Sequence, residues 1–392
     1  MSTGGTIPAW RRELARPQGA DVFRVLAVGM VAAFHFWQQT WIGGGKLDYL
    51  LRTGCAWVDG MILLSAFCLY LPHALDAAEG RPFAGTPGFF WRRVVRLVPA
   101  YWAATLLCGA VDAVQRGLDA HLIQDILAHL LLVPTLLPES YIWARTNGAL
   151  WTVGVLVQFY LLFPLLARAF RARPVLTFAG LCAVQAGWSI WITRFDDWRY
   201  SFTFNQLPAF AGVLALGFAA AMAVAGLGCR VQGRWRWGFT LLAAGALWAA
   251  ARVLRYMNDM GNIQRAQLLC RMPLVFCLAL ALVGLCLGVR LPGGRVWAFL
   301  SGISYQFYLW HQWLAVQLKY HLRLPPWQGD TPPNQLGDTV WMWRYFALIL
   351  AVSLGVAALL TYTVERPAAA ALRRLWPPAR PQSGQIPQKA CK

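Results

Sequence analysis

The sequence predicts an all-α fold, a polytopic bundle of about ten transmembrane helices with both termini on the cytoplasmic side. Of its 392 residues, 58% are hydrophobic and only 13% are charged, and the mean hydropathy is +0.47. A soluble domain carries about 25% charged residues, so this chain has too few to cover a globular surface. The 21 tryptophans suit the aromatic belts of a membrane interface. The apolar composition also excludes intrinsic disorder.

A spanning helix needs about 20 largely apolar residues, and ten segments of the chain meet that requirement. A further apolar stretch, 121–137, contains Asp125 and His129 and ends in two prolines. We interpret it as a re-entrant or outer-surface helix that does not cross. The predicted spans lie at about 22–40, 55–73, 97–115, 148–167, 175–193, 206–227, 237–255, 268–289, 296–318 and 342–363.

The net charge of +19 indicates topology rather than nucleic-acid binding, because the arginines lie between apolar runs. If 121–137 does not span and the N-terminus is inside, 21 Lys and Arg residues fall on the cytoplasmic side and 13 fall in the outer segments or in the outer ends of the spans that adjoin them. Counting that stretch as a span gives 17 on each side. The positive-inside bias therefore favours ten spans. We expect a multi-pass protein of the bacterial cytoplasmic membrane, with the lipid bilayer as its surroundings and no nucleic-acid partner.

The chain is interpreted as one membrane domain between two short tails. We predict a cytoplasmic tail over residues 1–20, the transmembrane domain over 21–367 and a cytoplasmic C-terminal tail over 368–392. The first apolar run has no cleavage signature, and the composition of 376–392 is typical of disorder. The nine cysteines are scattered without metal-ligand spacing. We therefore expect buried thiols, no metal and no permanently bound cofactor.

The first span carries a charged pair and a histidine, and ionisable residues inside a membrane are functional candidates by default. Asp21 is three residues before Arg24, so the two side chains can pair on one helix face. His35 follows eleven residues after Arg24, about 16 Å further along the helix. A structural ion pair and a hydrogen-bonded histidine remain the alternative interpretation. A neutral imidazole is also the usual general base near pH 7.

Asp59 opens the second span near the outer side, and Ser65 follows about two turns later. A carboxylate in this position needs a partner, and His35 is one candidate. We therefore take His35, Asp59 and Arg24 as the candidate catalytic residues.

Three arginines, Arg92, Arg93 and Arg96, cluster where the third span begins, on the predicted cytoplasmic side. One interpretation is an ordinary positively charged membrane anchor. The other is a phosphate-binding site, since the guanidinium fork matches phosphate oxygens. The residues alone leave both interpretations open.

Polar residues also lie within the ninth predicted span. Ser304, Tyr305, Tyr308 and His311 lie at i, i+1, i+4 and i+7, so three of them share one helix face. Such a stripe is either satisfied polar packing between helices or the lining of a substrate channel.

These motifs resemble, in order along nearly the whole chain, those of the acyltransferase 3 family of bacterial membrane O-acyltransferases. The family is marked by Asp-x-x-Arg with a histidine eleven residues later, by Val-Asp followed by serine, and by Arg-Arg-x-x-Arg-[Ile/Leu]-x-Pro-x-Tyr. The fourth span departs from the pattern, because Leu156 stands where the family usually has glutamate. The matching segments are Asp21–His35, Val58–Ser65, Arg92–Tyr101, Ala149–Leu166, Asn205–Ala221, Ile303–Leu314 and Val364–Pro367.

The resemblance implies transfer of an acyl group, most often acetyl, from acyl-CoA to a hydroxyl of a sugar, a glycan or a glycosylated small molecule. Acyl-CoA would be a co-substrate. His35 would be the general base, the three arginines would hold the CoA phosphates, and the polar stripe of the ninth span would line the channel. Some relatives carry a fused periplasmic domain at the C-terminus, so here a separate acceptor-side protein is expected if one is needed.

Two other classes remain as alternatives. A transporter or flippase of similar topology would use intramembrane charges as a path, although no internal repeat is visible in the sequence. A purely structural scaffold does not explain Arg24 and Asp59 inside spans. A serine-hydrolase mechanism has no support, because the Gly-x-Ser-x-Gly elbow is absent from the sequence. Leu156 indicates either different polar requirements or an altered substrate.

Overall fold

The computed structural model describes residues 8–375, and within that range every regular element is a helix, as the sequence predicts. The predicted C-terminal tail lies mostly outside the described residues. The α-helices are α1 (Ala9–Leu14), α2 (Gln18–Thr40), α3 (Asp48–Arg52), α4 (Trp57–Ala78), α5 (Phe89–Arg116), α6 (Ala120–Leu130), α7 (Pro138–Tyr141), α8 (Trp151–Ala172), α9 (Pro174–Ile192), α10 (Trp198–Phe204), α11 (Ala211–Gly228), α12 (Trp235–Asp259), α13 (Ile263–Leu287), α14 (Gly294–Val316), α15 (Thr339–Leu360) and α16 (Arg366–Leu375).

Nine helical segments between residues 8 and 375 are long and apolar enough to cross a membrane, and they match nine of the ten predicted spans. The exception is α14, which corresponds to the predicted span at 296–318. Its 23 residues give a length of about 34 Å, enough for a bilayer core of about 30 Å. Its polar content lowers its hydropathy, and includes Ser301, Ser304, Gln306 and His311. Ten spans with both termini inside remain the prediction.

The stretch interpreted as non-spanning forms α6, whose 11 residues extend only about 16 Å. Its buried carboxylate, Asp125, accepts hydrogen bonds from the backbone N–H groups of Arg145 and Thr146, both at 2.8 Å. His129 Nδ1 lies 3.1 Å from the same carboxylate. The polar residues that made this stretch a doubtful span therefore attach α6 to the segment before α8.

Two parallel helices, α2 and α14, organise the centre of the bundle. Near their first turns Arg24 donates to Ser301, with 2.8 Å between Nη1 and Oγ. Near their last turns the rings of His35 and His311 lie 5.2 Å apart between centroids. The two contacts fix the register of the helices. They also require α14 to run in the same direction as α2, as expected for the first and ninth of ten consecutive spans.

Close helix packing depends on small residues, as is usual in membrane bundles. Gly217 of α11 faces α4, and a Cβ built there would lie only 2.6 Å from the carbonyl oxygen of Leu63. Gly19 of α2 approaches the backbone of Leu285 on α13 in the same way, at 2.2 Å from its carbonyl carbon. A side chain at either position would push the helices apart.

A buried ion pair joins α4 to α13 and corrects the expected partner of Asp59. Arg271 Nε lies 3.2 Å from Asp59 Oδ1, and Gln267 donates to Oδ2 at 2.9 Å. The guanidinium also lies 4.3 Å and 4.6 Å from the ring centroids of Phe204 and Phe210. Both charged side chains are 1% exposed or less. Asp59 therefore pairs with Arg271 and not with His35, and this pair joins α4 to α13.

We predict that Arg271→Leu destabilises the protein by about 3–5 kcal/mol, because it leaves the Asp59 carboxylate buried without its cation. The double variant Asp59→Leu/Arg271→Leu should recover most of that loss, since replacing both partners by apolar residues is often close to neutral. The unfolding temperature of the detergent-purified protein measures both effects. A double variant as unstable as the single one would contradict this account.

Candidate active site

A cavity of about 220 Å³ lies in the centre of the bundle and gathers most of the predicted site residues. It is enclosed by α2, α4, α5, α8 and α14. Arginines from α2 and α5 lie at one end, and the hydroxyl groups of Thr152 (α8) and Tyr308 (α14) meet at the other. Its lining comprises Arg24, Val28, Val58, Met61, Ile62, Leu64, Ser65, Cys68, Leu69, Arg93, Arg96, Leu97, Thr152, Val153, Leu156, Tyr160, Ser304, Tyr305 and Tyr308.

Arg24 is held at the arginine end by a network that joins α2 to α14. Its Nη1 lies 3.7 Å from Asp21, which is the pairing predicted from their spacing. Ser301 accepts from Arg24 and donates to Asp21 Oδ1 at 2.6 Å. Nη2 also lies 3.6 Å from the sulfur of Cys68 on α4. The guanidinium is thus fixed in the cavity wall rather than free to move.

The three arginines of α5 do not act as one group. Arg93 and Arg96 are three residues apart, so they share a helix face, and both line the cavity. Arg93 lies 5.9 Å from the ring centroid of Tyr160. No salt bridge within residues 8–375 neutralises either of them. Arg92 is turned onto another face, where it donates to the Pro87 carbonyl at 2.7 Å. Of the three arginines predicted to bind phosphate, Arg93 and Arg96 therefore line the cavity and Arg92 does not.

The predicted polar stripe on α14 forms one wall of the cavity. Ser304, Tyr305 and Tyr308 line the cavity as predicted. Ser304 donates to the Ser301 carbonyl at 2.7 Å, and Tyr305 donates to the Leu97 carbonyl of α5 at 3.0 Å. Tyr308 accepts a hydrogen bond of 2.8 Å from a hydroxyl of α8 that the sequence analysis did not single out, Thr152.

His311 is not part of that lining, and it lies one turn further along α14. Its ring is 5.5 Å from the ring of Tyr308 and fully buried. Its Nδ1 is 2.8 Å from the Tyr308 carbonyl. A carbonyl only accepts, so Nδ1 carries the proton and Nε2 keeps its lone pair. That Nε2 has no partner among the described residues. His35, half-buried, completes the pair, with its Nδ1 at 2.9 Å from Gln38 Oε1.

Leu156 lies in the wall of the cavity, one turn of α8 from Thr152 and one turn from Tyr160. Gln158, two residues further along α8, donates to Thr135 at 2.8 Å. The middle of the cavity is consequently apolar on the side that α8 contributes.

A second cavity, of about 280 Å³, lies further along α5 and α14. Arg145 bridges to Asp112 there at 2.9 Å. Two buried atoms in its wall, Thr146 Oγ1 and Gln312 Oε1, have no hydrogen-bond partner within the described chain. Sequence analysis missed this site because its residues are scattered over loops and helix ends. The lining comprises Asp112, Gln115, Arg116, Ala144, Arg145, Thr146, Asn147, Gly148, Gln312, Trp313, Val316, Gln317 and His321.

Comparison with known proteins identifies the family to which this chain belongs. A family described as an acyltransferase domain (Acyl_transf_3) matches residues 18–362. A curated relative, acyltransferase MdmB of Streptomyces mycarofaciens, is 30% identical over 159 residues, which is 39% of this chain and 39% of that protein. No solved structure matches. Because the family match covers most of the sequence, the chain belongs to the acyltransferase 3 family.

Proposed function

We propose that this protein is an O-acyltransferase that moves an acyl group, acetyl first, from acyl-CoA to a hydroxyl of a sugar, a glycan or a glycosylated small molecule. The order of sites along α14 carries the proposal. Tyr308 lies in the central cavity, His311 follows beside His35, and Gln312 lies in the second cavity. A general base between two cavities is what transfer between a donor and an acceptor requires.

The donor enters the central cavity from the arginine end, on the cytoplasmic side. Arg93 and Arg96 bind the CoA phosphates, since charge-assisted contacts to phosphate are strong and neither arginine forms a salt bridge within residues 8–375. From Tyr160 to Thr152 the cavity follows α8 for eight residues, about 12 Å. The pantetheine arm extends along this path and brings the thioester to Tyr308.

His35 removes the proton from the acceptor hydroxyl. Gln38 accepts from Nδ1–H and so leaves Nε2 as the basic nitrogen. The hydroxyl oxygen attacks the thioester carbon, the carbon–sulfur bond breaks, and the proton taken by His35 returns to the CoA thiolate. His311 is the second candidate base, since its Nε2 is also free. Arg24 positions the donor, and no metal or bound cofactor takes part.

The acceptor reaches the histidines through the second cavity, from the outer side of the bacterial cytoplasmic membrane. Its carboxylate and amide groups, together with the ring of Trp313, suit a hydroxyl-rich ligand. If the final acceptor is a surface polymer, a separate protein on that side completes its delivery.

A transporter or flippase is the second candidate, favoured by one observation: the two cavities follow the same helices, α5 and α14, toward opposite ends. Release of CoA thiol from acetyl-CoA by the purified protein, with and without a glycoside as acceptor, separates the two. A transporter would release none.

Replacing His35 with alanine should lower acceptor-dependent thiol release by about 10²–10⁴-fold, the usual contribution of a general base, without loss of folded protein. His121→Ala is the matched control. That histidine contacts the Glu139 carbonyl at 3.1 Å and lines neither cavity. Normal rates in His35→Ala would transfer the role to His311.

Arg93→Ala and Arg96→Ala should each raise the KM for acetyl-CoA by about 10- to 150-fold, the equivalent of about 1.5–3 kcal/mol for a lost charge-assisted contact. Lysine should rescue only in part, because it lacks the planar fork. Arg92→Ala removes the same charge from the same helix and should leave the KM near its original value. Equal increases in all three variants would show that general surface charge, not a phosphate site, is responsible.

A further inference from the structure

We propose that Tyr308 is a catalytic residue that stabilises the oxyanion formed during acyl transfer, by donating its phenolic hydrogen to the thioester oxygen. This inference rests on the proposed function, which assigns a base and a phosphate site but no group that stabilises the oxyanion. Attack on a thioester carbon moves an electron pair onto the carbonyl oxygen, and a preorganised donor in a buried site is the usual means of stabilising that charge.

The hydrogen bonds of the cavity single out Tyr308. Six hydroxyl side chains line the cavity within the described chain, and three of them donate to backbone carbonyls. Those three bonds are Ser65 to Met61 at 2.9 Å, Ser304 to Ser301 at 2.7 Å, and Tyr305 to Leu97 at 3.0 Å. Their hydrogens are already committed and cannot serve a ligand.

The remaining three hydroxyls are Thr152, Tyr160 and Tyr308. The Thr152 hydroxyl lies 3.4 Å from the Ala149 carbonyl and 2.8 Å from the Tyr308 oxygen, and it donates to the nearer of the two, Tyr308. Tyr160 lies beside Arg93 at the arginine end, eight residues and about 12 Å of helix from Thr152. Tyr308 is therefore the hydroxyl at the histidine end whose own hydrogen is not used. A phenol that accepts one hydrogen bond also donates the next one more strongly.

The position of Tyr308 relative to the histidines suits this task. Its ring lies 5.5 Å from that of His311, and its own carbonyl accepts from His311 Nδ1. His311, one turn from Tyr308 on α14, packs against the base His35 with 5.2 Å between ring centroids, and so fixes the position of the base relative to Tyr308. The side chain is only 5% exposed, and a hydrogen bond to a charged group is stronger in such surroundings than in water.

The electron pairs balance with Tyr308 as a donor only. The acceptor oxygen bonds to the thioester carbon while its proton goes to the base, and the carbonyl π pair moves to the oxygen that Tyr308 faces. When the intermediate collapses, that pair re-forms the carbonyl and the carbon–sulfur bond breaks. The thiolate takes the proton from the base, and Tyr308 keeps its own.

Tyr345→Phe is a matched control for Tyr308→Phe. Both changes remove one phenolic oxygen from a buried tyrosine, and Tyr345 lines neither cavity. The Tyr345 hydroxyl, on α15, already donates to the carbonyl of Ala315 on α14. A merely structural role in helix packing predicts similar effects of the two substitutions, whereas an oxyanion donor predicts very different ones.

The test measures CoA thiol release from acetyl-CoA by the full-length protein in detergent, with water or a methyl glycoside as acceptor. In Tyr308→Phe we expect kcat to fall by about 10²–10³-fold, the usual effect of losing one oxyanion donor, while the KM for acetyl-CoA changes little. Tyr345→Phe should retain kcat within a few-fold. Thr152→Val, which leaves the phenol but removes the group that orients it, should lower kcat with the KM unchanged.

Unfolding temperatures identify any variant that fails to fold, in which case Thr152→Val carries the test. An unchanged kcat in Tyr308→Phe, or equal losses in Tyr308→Phe and Tyr345→Phe, would overturn the inference. If the wild-type protein releases thiol but Tyr308→Phe affects only the KM, Tyr308 binds the donor and is not the oxyanion donor. Wild-type protein that releases no thiol would overturn the proposed function, and this inference with it.

Discussion

The contact between α2 and α14 is the constraint on which the rest of the site depends. In an apolar bundle a polar side chain must find a partner, since an unpaired one costs several kcal/mol. Arg24 meets Ser301 near the start of the two helices, and His35 meets His311 near their ends. Because the two contacts are 11 residues apart on α2 and 10 residues apart on α14, one register satisfies both. The central cavity and the histidine pair are therefore fixed by the same packing.

The two classes of buried charge in this bundle have different consequences. Asp59 and Arg271 neutralise each other in a closed site with a glutamine and two aromatic rings, and neither lines the central or the second cavity. Arg93 and Arg96 face a cavity without a salt bridge inside the described range. A closed pair stabilises helix contacts, whereas an open pair of like charges favours an anion. Whether a buried charge has a partner of opposite sign, more than the number of arginines, therefore separates the structural charges from the candidate functional ones.

Much of the fold follows from the sequence because hydropathy and helix length are local properties. The nine apolar spans and the non-spanning α6 could be predicted, and so could the Asp21–Arg24 pair, whose partners lie on one helix. Partners on different helices could not. Asp59 was expected near His35, although Arg271, an arginine inside the predicted eighth span, carried the same signal as Arg24. Arg92 and Arg93 are neighbours in the sequence. Only their different positions around the axis of α5 place Arg93 in the cavity wall and Arg92 against the Pro87 carbonyl. The second cavity depends on loop positions that no periodic pattern reveals.

The central claim is that acyl-CoA lies in the central cavity with its phosphates at the arginines and its sulfur beside the histidine pair. A structure of the full-length protein bound to CoA tests it most directly. The account predicts phosphate oxygens against Arg93 and Arg96, and the sulfur next to Tyr308 and His311. Phosphates bound at Arg92, or a sulfur in the cavity lined by Asp112 and Gln312, would contradict it.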